Sequence, residues 1–364
     1  MRDLRRRILL LTTILVMIGI VMIYSTSAIY ARETYGDAGY FLKRHLVYLA
    51  IGVLLSLWVL SLDPQQIRRS IKPFLGLSLL FLLLVLVPGL GHRVSGASRW
   101  FRIGGLGVQP SEVAQLSVIL YLSDVLTRKR GQVENFLHGV LPPLLILGLT
   151  LILILMEPDL GTAVALGAVA LLLFFIAGVR SRVLLPLLLS GVPLLIGLIA
   201  MKPYRVRRIL AYLNPWADPE GAGFQLIQSL VALGSGGLFG LGLGESRQKL
   251  FYLPAAHTDF IFSVIGEELG FIGAVAIVVL LGLLIWNGIR LSLQAPDGFG
   301  LFSGLGITML MALESLIHIG VTTGAIPTKG LPLPFISYGG TVLVINLVSI
   351  AILLNITRPR QVPA

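Results

Sequence analysis

Apolar residues run along this chain in long blocks, and polar residues fall between the blocks at nearly regular intervals. Apolar runs of about 18 or more residues read as membrane-spanning helices. Ten spans are predicted: 8–29, 45–62, 73–90, 111–126, 138–156, 160–178, 183–200, 260–289, 299–319 and 337–356. The expected fold class is an all-α polytopic membrane protein, a single membrane domain over 1–364. One connection, 201–259, is far longer than the rest. An even number of spans puts both termini on one side.

The short basic connections fall on that same side. They carry Arg2, Arg5, Arg6 and Arg7, then Arg68, Arg69 and Lys72, then Arg128, Lys129 and Arg130, then Arg180 and Arg182, then Arg290, and finally Arg358 and Arg360. The excess of cations on the inner side of membrane proteins makes this side the cytoplasm. The opposite face also holds cations: Arg93, Arg99, Arg102, Lys202, Arg205, Arg207, Arg208, Arg247 and Lys249. Most sit in long segments, where the rule is weak, and there they invite an anionic substrate. The leading MRDLRRR and the apolar run after it read as an uncleaved first helix.

Three segments of that outer face stand out: a Gly-rich loop over 91–110, the long connection 201–259, and the Pro- and Gly-rich stretch 320–336 with Lys329. Apolar, non-helical backbone near a membrane is tolerated when it is buried in protein or lines a cavity. These segments are therefore expected to fold back over the bundle, with 223–250 including a partly embedded helix. Paired broken helices in two halves, the mark of many transporters, are not evident.

Composition agrees with a membrane protein. The 364 residues are 56% hydrophobic and 12% charged, against roughly a quarter charged in soluble domains; mean hydropathy is +0.92. Cysteine is absent, which excludes disulfides, thiolate metal sites and cysteine catalysis. The net charge of +11 would point to nucleic acid in a soluble protein. Here it points to inner-side loop charge and anionic membrane lipid.

Candidate chemistry concentrates in 221–270. Arg247, Gln248 and Lys249 precede His257, Thr258 and Asp259, and Glu267 and Glu268 follow in the next span. A carboxylate at the mouth of a membrane helix, with cations upstream, suits an anionic lipid headgroup; a merely solvated polar loop is the bland alternative. Glu267 lies roughly 12 Å of helical rise beyond Asp259, close enough to line the same cavity. Ionisable residues inside spans are functional candidates. Glu112 opens the fourth span one turn before Gln115, where the helix dipole alone would stabilise it. Asp124 reads as interfacial, and Asp159 in EPDLGT as a helix cap. Glu314 and His318, spaced i, i+4, are expected to form a hydrogen-bonded pair. No HExxH or histidine cluster supports a zinc site. A divalent cation, Mg²⁺ or Mn²⁺, bridging a carboxylate and a substrate pyrophosphate stays compatible with the sequence. Glycine strings such as GSGGLFGLGLG follow no strand, so a dinucleotide fold is excluded.

Several long motifs occur together and in order: SRWFRIGGLGVQPSE (98–112), EPDLGT (157–162), RVRRILAYLNPWADPEGAGFQLIQS (205–229), GSGGLFGLGLGESRQKLFYLPAAHTD (234–259), VIGEELG (264–270) and PTKGLPLPFISYGGT (327–341). Over essentially its full length the chain resembles the SEDS family of peptidoglycan polymerases (FtsW, SpoVE and RodA), and is more similar to FtsW and SpoVE than to RodA. The resemblance implies ten spans with cytoplasmic termini. It also implies a glycosyltransferase that joins lipid II, a disaccharide-pentapeptide on undecaprenyl pyrophosphate, into β-1,4-linked glycan at the outer face, for division or sporulation. A class B penicillin-binding protein and other division proteins are the implied partners. Asp259 matches the essential carboxylate of the HTD motif and takes the role of general base. Arg205, Arg208, Arg247 and Lys249 are the implied cations for the pyrophosphate. Arg99, Glu112, His257, Glu267, Lys329 and Ser337 complete the implied substrate-binding set.

The chain departs from the family pattern at several positions. Gln115 stands where the family usually has Lys, Ala255 where many members have Glu, and Thr341 where Ser is common. Glu314 and His318 stand where relatives tend to have neutral amides. A lipid-linked precursor flippase is the alternative reading; it should line a path through both leaflets, whereas the charges here gather on one face. A non-catalytic scaffold would leave Asp259 dispensable.

Overall fold

The computed structural model describes residues 2–94, 97–129, 131–132, 134–249 and 252–358. Arg130 and Arg360, counted above among the basic connections, lie outside the described residues, and the Arg93 side chain is likewise not described. Twelve helices carry the fold: α1 (Arg2–Tyr35), α2 (Tyr40–Ser61), α3 (Pro64–Leu86), α4 (Pro110–Arg128), α5 (Leu141–Met156), α6 (Leu160–Ile176), α7 (Ser181–Ala200), α8 (Pro203–Leu213), α9 (Phe224–Ser235), α10 (Ile261–Leu293), α11 (Gly298–Thr322) and α12 (Gly340–Ile356). Each of the ten predicted spans coincides with one of them. Among the described residues seven helical runs are long and apolar enough to cross a membrane by length and composition, one of them being α5 together with the helical turn that leads into it from Phe136; α6, α9 and α12 are shorter apolar helices. The protein is thus a multi-pass membrane protein.

Helix α4 forms the middle of the bundle. Most of its residues are buried, and it packs on α3, α6 and α11. At the other extreme α7 buries no residue fully and touches the bundle through one side, where Val183 and Leu184 pack on the core. A helix apolar all round and so sparsely covered by protein is at home in lipid.

Three boundaries differ from expectation. Helix α3 begins at Pro64 rather than 73. Asp63 and Gln66 form a capping box there, and Pro73 is carried inside the helix. The predicted loop 91–110 is a three-stranded antiparallel sheet of β1 (His92–Val94), β2 (Ala97–Ile103) and β3 (Leu106–Val108). Gly104 and Gly105, at φ 57° and 81°, turn β2 into β3; a two-residue hairpin of this hand needs positive φ at both positions. The long connection 201–259 contains, besides the helix expected in 223–250, the further helix α8.

Helix α10 is broken at Gly270 (φ 68°, ψ −170°). A break inside a membrane helix strands backbone donors and acceptors that must be satisfied by protein. The glycine-rich segment after α9 does this. Leu241 N donates to Glu267 O (2.9 Å) and Gly242 N to Glu268 O (3.1 Å), while Phe271 N donates to Gly237 O (2.9 Å) and Ile272 N to Leu238 O (3.2 Å). The partly embedded helix expected in 223–250 corresponds to α9, and the embedded glycine segment follows it. Lacking side chains, the glycines let two backbones meet: a Cβ on Gly240 would lie 2.2 Å from Glu268 O.

Candidate functional site

The HTD turn precedes α10 and is stitched to the Pro-rich turn that precedes α12. Ser337 Oγ donates to Thr258 O (2.7 Å) and accepts from Leu333 N (2.8 Å), and Tyr338 N donates to His257 O (2.9 Å). Two non-glycine residues in these turns, Ala255 (φ 57°) and Phe335 (φ 66°), occupy the left-handed region, a costly conformation that surrounding contacts must enforce. Asp259 is held against the backbone of Gly330, where an added Cβ would come within 2.7 Å of its Oδ2. Asp259 does not cap α10. The residue at the cap position is Phe260, and no side-chain cap bond is made.

Electrostatics identify what surrounds Asp259. Burial pushes its carboxyl above the ordinary value, while a bond from Thr258 and the charges of Arg208 and Arg99 pull the other way, and Asp159 adds repulsion. Lys329 is drawn below its ordinary value by burial; it senses Asp159 favourably and Arg205 and Arg208 unfavourably. Asp259, Asp159, Arg99, Arg208 and Lys329 therefore share one electrostatic neighbourhood, fed by five separate chain segments.

Arg99, from β2, grips the turn between α5 and α6. Its Nε donates to Glu157 O and one terminal nitrogen to Pro158 O (both 2.7 Å), with Asp159 Oδ2 4.0 Å from the other. Asp159 caps α6 through Thr162 N (3.2 Å), as expected, and also lies in the field of Arg99 and Lys329. Glu157 is fully buried, with the Ser111 hydroxyl as the hydrogen-bonding group at its carboxyl. Burial, with Asp159 beside it, raises Glu157 to about 9, so it is a neutral acid at physiological pH. Sequence reasoning passed over Glu157 and Gly330. An acid in an almost wholly apolar turn was the available signal for the first; the second had none.

Other expected site residues go elsewhere. Arg205 is buried, its guanidinium bonded to Leu198 O (2.7 Å) at the end of α7 and to the Tyr204 hydroxyl (3.0 Å). Arg247 is exposed. Lys249 is buried in an ion pair with Glu268 (3.1 Å) and also bonds Gly244 O. Glu267 accepts from Arg247 N (3.0 Å) and from the Ser246 hydroxyl. Both glutamates of α10 thus hold the 244–249 loop. His257 stacks among Phe41 (4.5 Å), Tyr338 (5.7 Å) and Tyr30 (6.1 Å). Burial lowers its imidazole to about 4, leaving it neutral. Glu112 is buried in α4 with Gln115 Nε2 3.5 Å away. The expected Glu314–His318 pair is not formed: His318 Nδ1 bonds Leu331 O instead (2.7 Å). Asp124 is paired with Arg68 (2.6 Å) and Arg128. Among the described residues no group of three or more His, Asp or Glu side chains is arranged to hold a metal ion.

Fold and site together define a polytopic membrane protein with a cation-lined carboxylate at one end of its bundle. The FtsW/RodA/SpoVE family model, described as cell cycle protein, matches residues 5–362, and the chain belongs to that family. It is 45% identical over 357 residues to the probable peptidoglycan glycosyltransferase FtsW of Geobacter metallireducens, covering 98% of this chain and 95% of the relative. It is 42% identical over 351 residues to stage V sporulation protein E of Bacillus subtilis, covering 96% of each. Among solved structures, a chain from a peptidoglycan synthase complex superposes with a TM-score of 0.79 at 32% identity, covering 96% of both chains. The rod shape determining protein RodA of Thermus thermophilus superposes at 0.71 and 29% identity, over 96% of this chain and 95% of that one.

Proposed function

We propose that this chain is a peptidoglycan glycosyltransferase that polymerises lipid II at the outer face of the cytoplasmic membrane, with Asp259 as general base. Asp259 accepts the proton of the acceptor's sugar 4-hydroxyl as that oxygen bonds to the donor's anomeric carbon. The bond from that carbon to the pyrophosphate oxygen breaks in the same displacement, so undecaprenyl pyrophosphate leaves and the configuration at the donor's anomeric carbon is inverted. The observation that carries the reading is the seating of Asp259 on Gly330 in the combined field of Arg208 and Arg99.

Developing negative charge on the leaving group is offset by cations in a water-poor cavity. Arg208, Arg99 and Lys329 share the field of Asp159 and Asp259, which favours them for this role. Arg205 holds α8 to α7 and so aims Arg208, one helical turn away. Lys249 and Glu267 act through the loop they secure, with Arg247 at its rim. Ser337 and the neutral His257 keep the HTD turn in place, and Glu112 lies in the buried acid group beyond Asp159. A divalent cation, if bound, would be held by Asp259 or Asp159 together with the substrate and would supply positive charge to the phosphates.

The long connection 201–259 then faces outward, both termini are cytoplasmic, and the whole chain acts as one membrane domain. A class B penicillin-binding protein partner and work in septal wall synthesis for division or sporulation accompany this reading. The test is to supply labelled lipid II to the purified chain and to an Asp259→Ala variant, each with and without a cognate transpeptidase. Long glycan from the parent and none from a folded variant is expected. Absence of polymer in every combination, with lipid II crossing vesicles that contain the protein, would replace the polymerase by a flippase.

A further inference from the structure

At the end of the bundle opposite Asp259, a cleft of about 500 Å³ opens between the start of α1 and the end of α10. Asp3, Leu4 and Arg7 line one side, and Arg290, Leu293 and Gln294 the other. Two arginines nearly the whole chain apart in sequence thus converge on one space. Among the described residues neither guanidinium has an ion-pair or hydrogen-bond partner. Arg290 is oriented by the Trp286 ring, which lies 5.0 Å beneath it.

The depth of the cleft bears on its ligand. Helix α10 runs 33 residues from Ile261 to Leu293, more than the roughly 20 needed to cross the hydrocarbon core. Arg290 lies in its last turn, after the apolar run, where a span passes from acyl chains to headgroups. Trp286 and Leu293 are more than half exposed and flank it with apolar surface. We propose that this cleft binds the headgroup of an anionic phospholipid of the phosphatidylglycerol type, its phosphodiester between Arg7 and Arg290 and its acyl chains running along Trp286. Two guanidiniums and the Gln294 amide supply donors for phosphate oxygens. Asp3, the one acid in the cleft, accepts from the headgroup's hydroxyls and cuts the local charge from +2 to +1, the complement of a singly charged lipid. The apolar walls favour a membrane lipid over a soluble anion.

The test is native mass spectrometry of the full chain released from nanodiscs of equal phosphatidylglycerol, phosphatidylethanolamine and phosphatidylcholine. The parent is expected to retain one phosphatidylglycerol. An Arg7→Gln/Arg290→Gln double variant should hold it about tenfold more weakly or worse, whereas Arg2→Gln/Arg6→Gln, with the same loss of charge outside the cleft, should retain it. Equal weakening in both double variants, equal retention of phosphatidylethanolamine, or displacement of the lipid by millimolar inorganic phosphate would each overturn the proposal.

Discussion

Lys249 and Glu268 form an ion pair of 3.1 Å with both side chains almost wholly shielded from solvent, at 5% and 0% exposure. Glu268 also accepts from Ser25 on α1 (2.7 Å), so the pair ties the 244–249 loop to α10 and α10 to α1. Removing one member of a buried pair strands the other charge, at a cost of about 3–5 kcal/mol. Lys249→Met should lower the thermal unfolding temperature in detergent sharply, and adding Glu268→Gln should restore most of it. If Lys249→Met instead left stability intact and only weakened substrate binding, Lys249 would belong to the substrate rather than to the fold.

Gly330→Ala should lower polymerisation without unfolding the protein. The new Cβ would lie 2.7 Å from Asp259 Oδ2 and 3.2 Å from its Cγ, so the carboxylate must move. Misplacing a reacting group by about 1 Å can cost about 100-fold in rate. Turnover number should fall while monodispersity and melting temperature stay near those of the parent.

The pH dependence follows from Asp259. A general base works ionised, and burial raises this carboxyl above the ordinary range while Arg208 and Arg99 oppose the rise. Activity should fall on the acid side through a limb displaced above ordinary carboxylate values, and Arg208→Gln should shift that limb further up. A profile unmoved by Arg208→Gln would remove Arg208 from the neighbourhood of the base.

The same shift predicts a stability effect. A carboxyl whose folded pKa exceeds its unfolded value binds its proton more tightly when folded. Ionising it costs stability, fully so above the folded pKa, and the cost disappears as pH falls towards the unfolded value. Asp259→Asn should therefore melt at higher temperature than the parent at neutral pH, with the difference shrinking as the solution is acidified. Parallel melting curves at all pH values would contradict this.

Gly270→Ala should abolish the folded product. Its φ of 68° disfavours any side chain, and an added Cβ would meet Gly240 N at 2.3 Å and Leu238 O at 2.5 Å. Backbone atoms on both sides leave no room to relax. Size-exclusion profiles of a fluorescent fusion should show aggregate, with no monodisperse peak.

The membrane class and the ten helical runs were legible in the sequence alone, and it singled out Asp259 as a candidate. Those features are local: a bilayer demands long apolar runs whatever their neighbours, and a lone acid at the mouth of such a run is visible without knowing the fold. Tertiary structure alone decided how the charges are shared out. Lys249 and Arg208 look equally available in the sequence, yet one is enclosed with Glu268 and the other is exposed beside Asp259's field. Glu267 was expected to line the cavity and accepts from the Arg247 backbone N–H and the Ser246 hydroxyl. His318 passed over Glu314, one turn away, for the carbonyl of Leu331. The hairpin at Gly104-Gly105 was legible as a turn signal between short extended runs, but the density of glycine hid it. The physical reason is the same throughout. Hydrophobic patterning sets which segments are helices, whereas a buried charge takes whichever partner the packing brings within about 3 Å, and that partner can be hundreds of residues away.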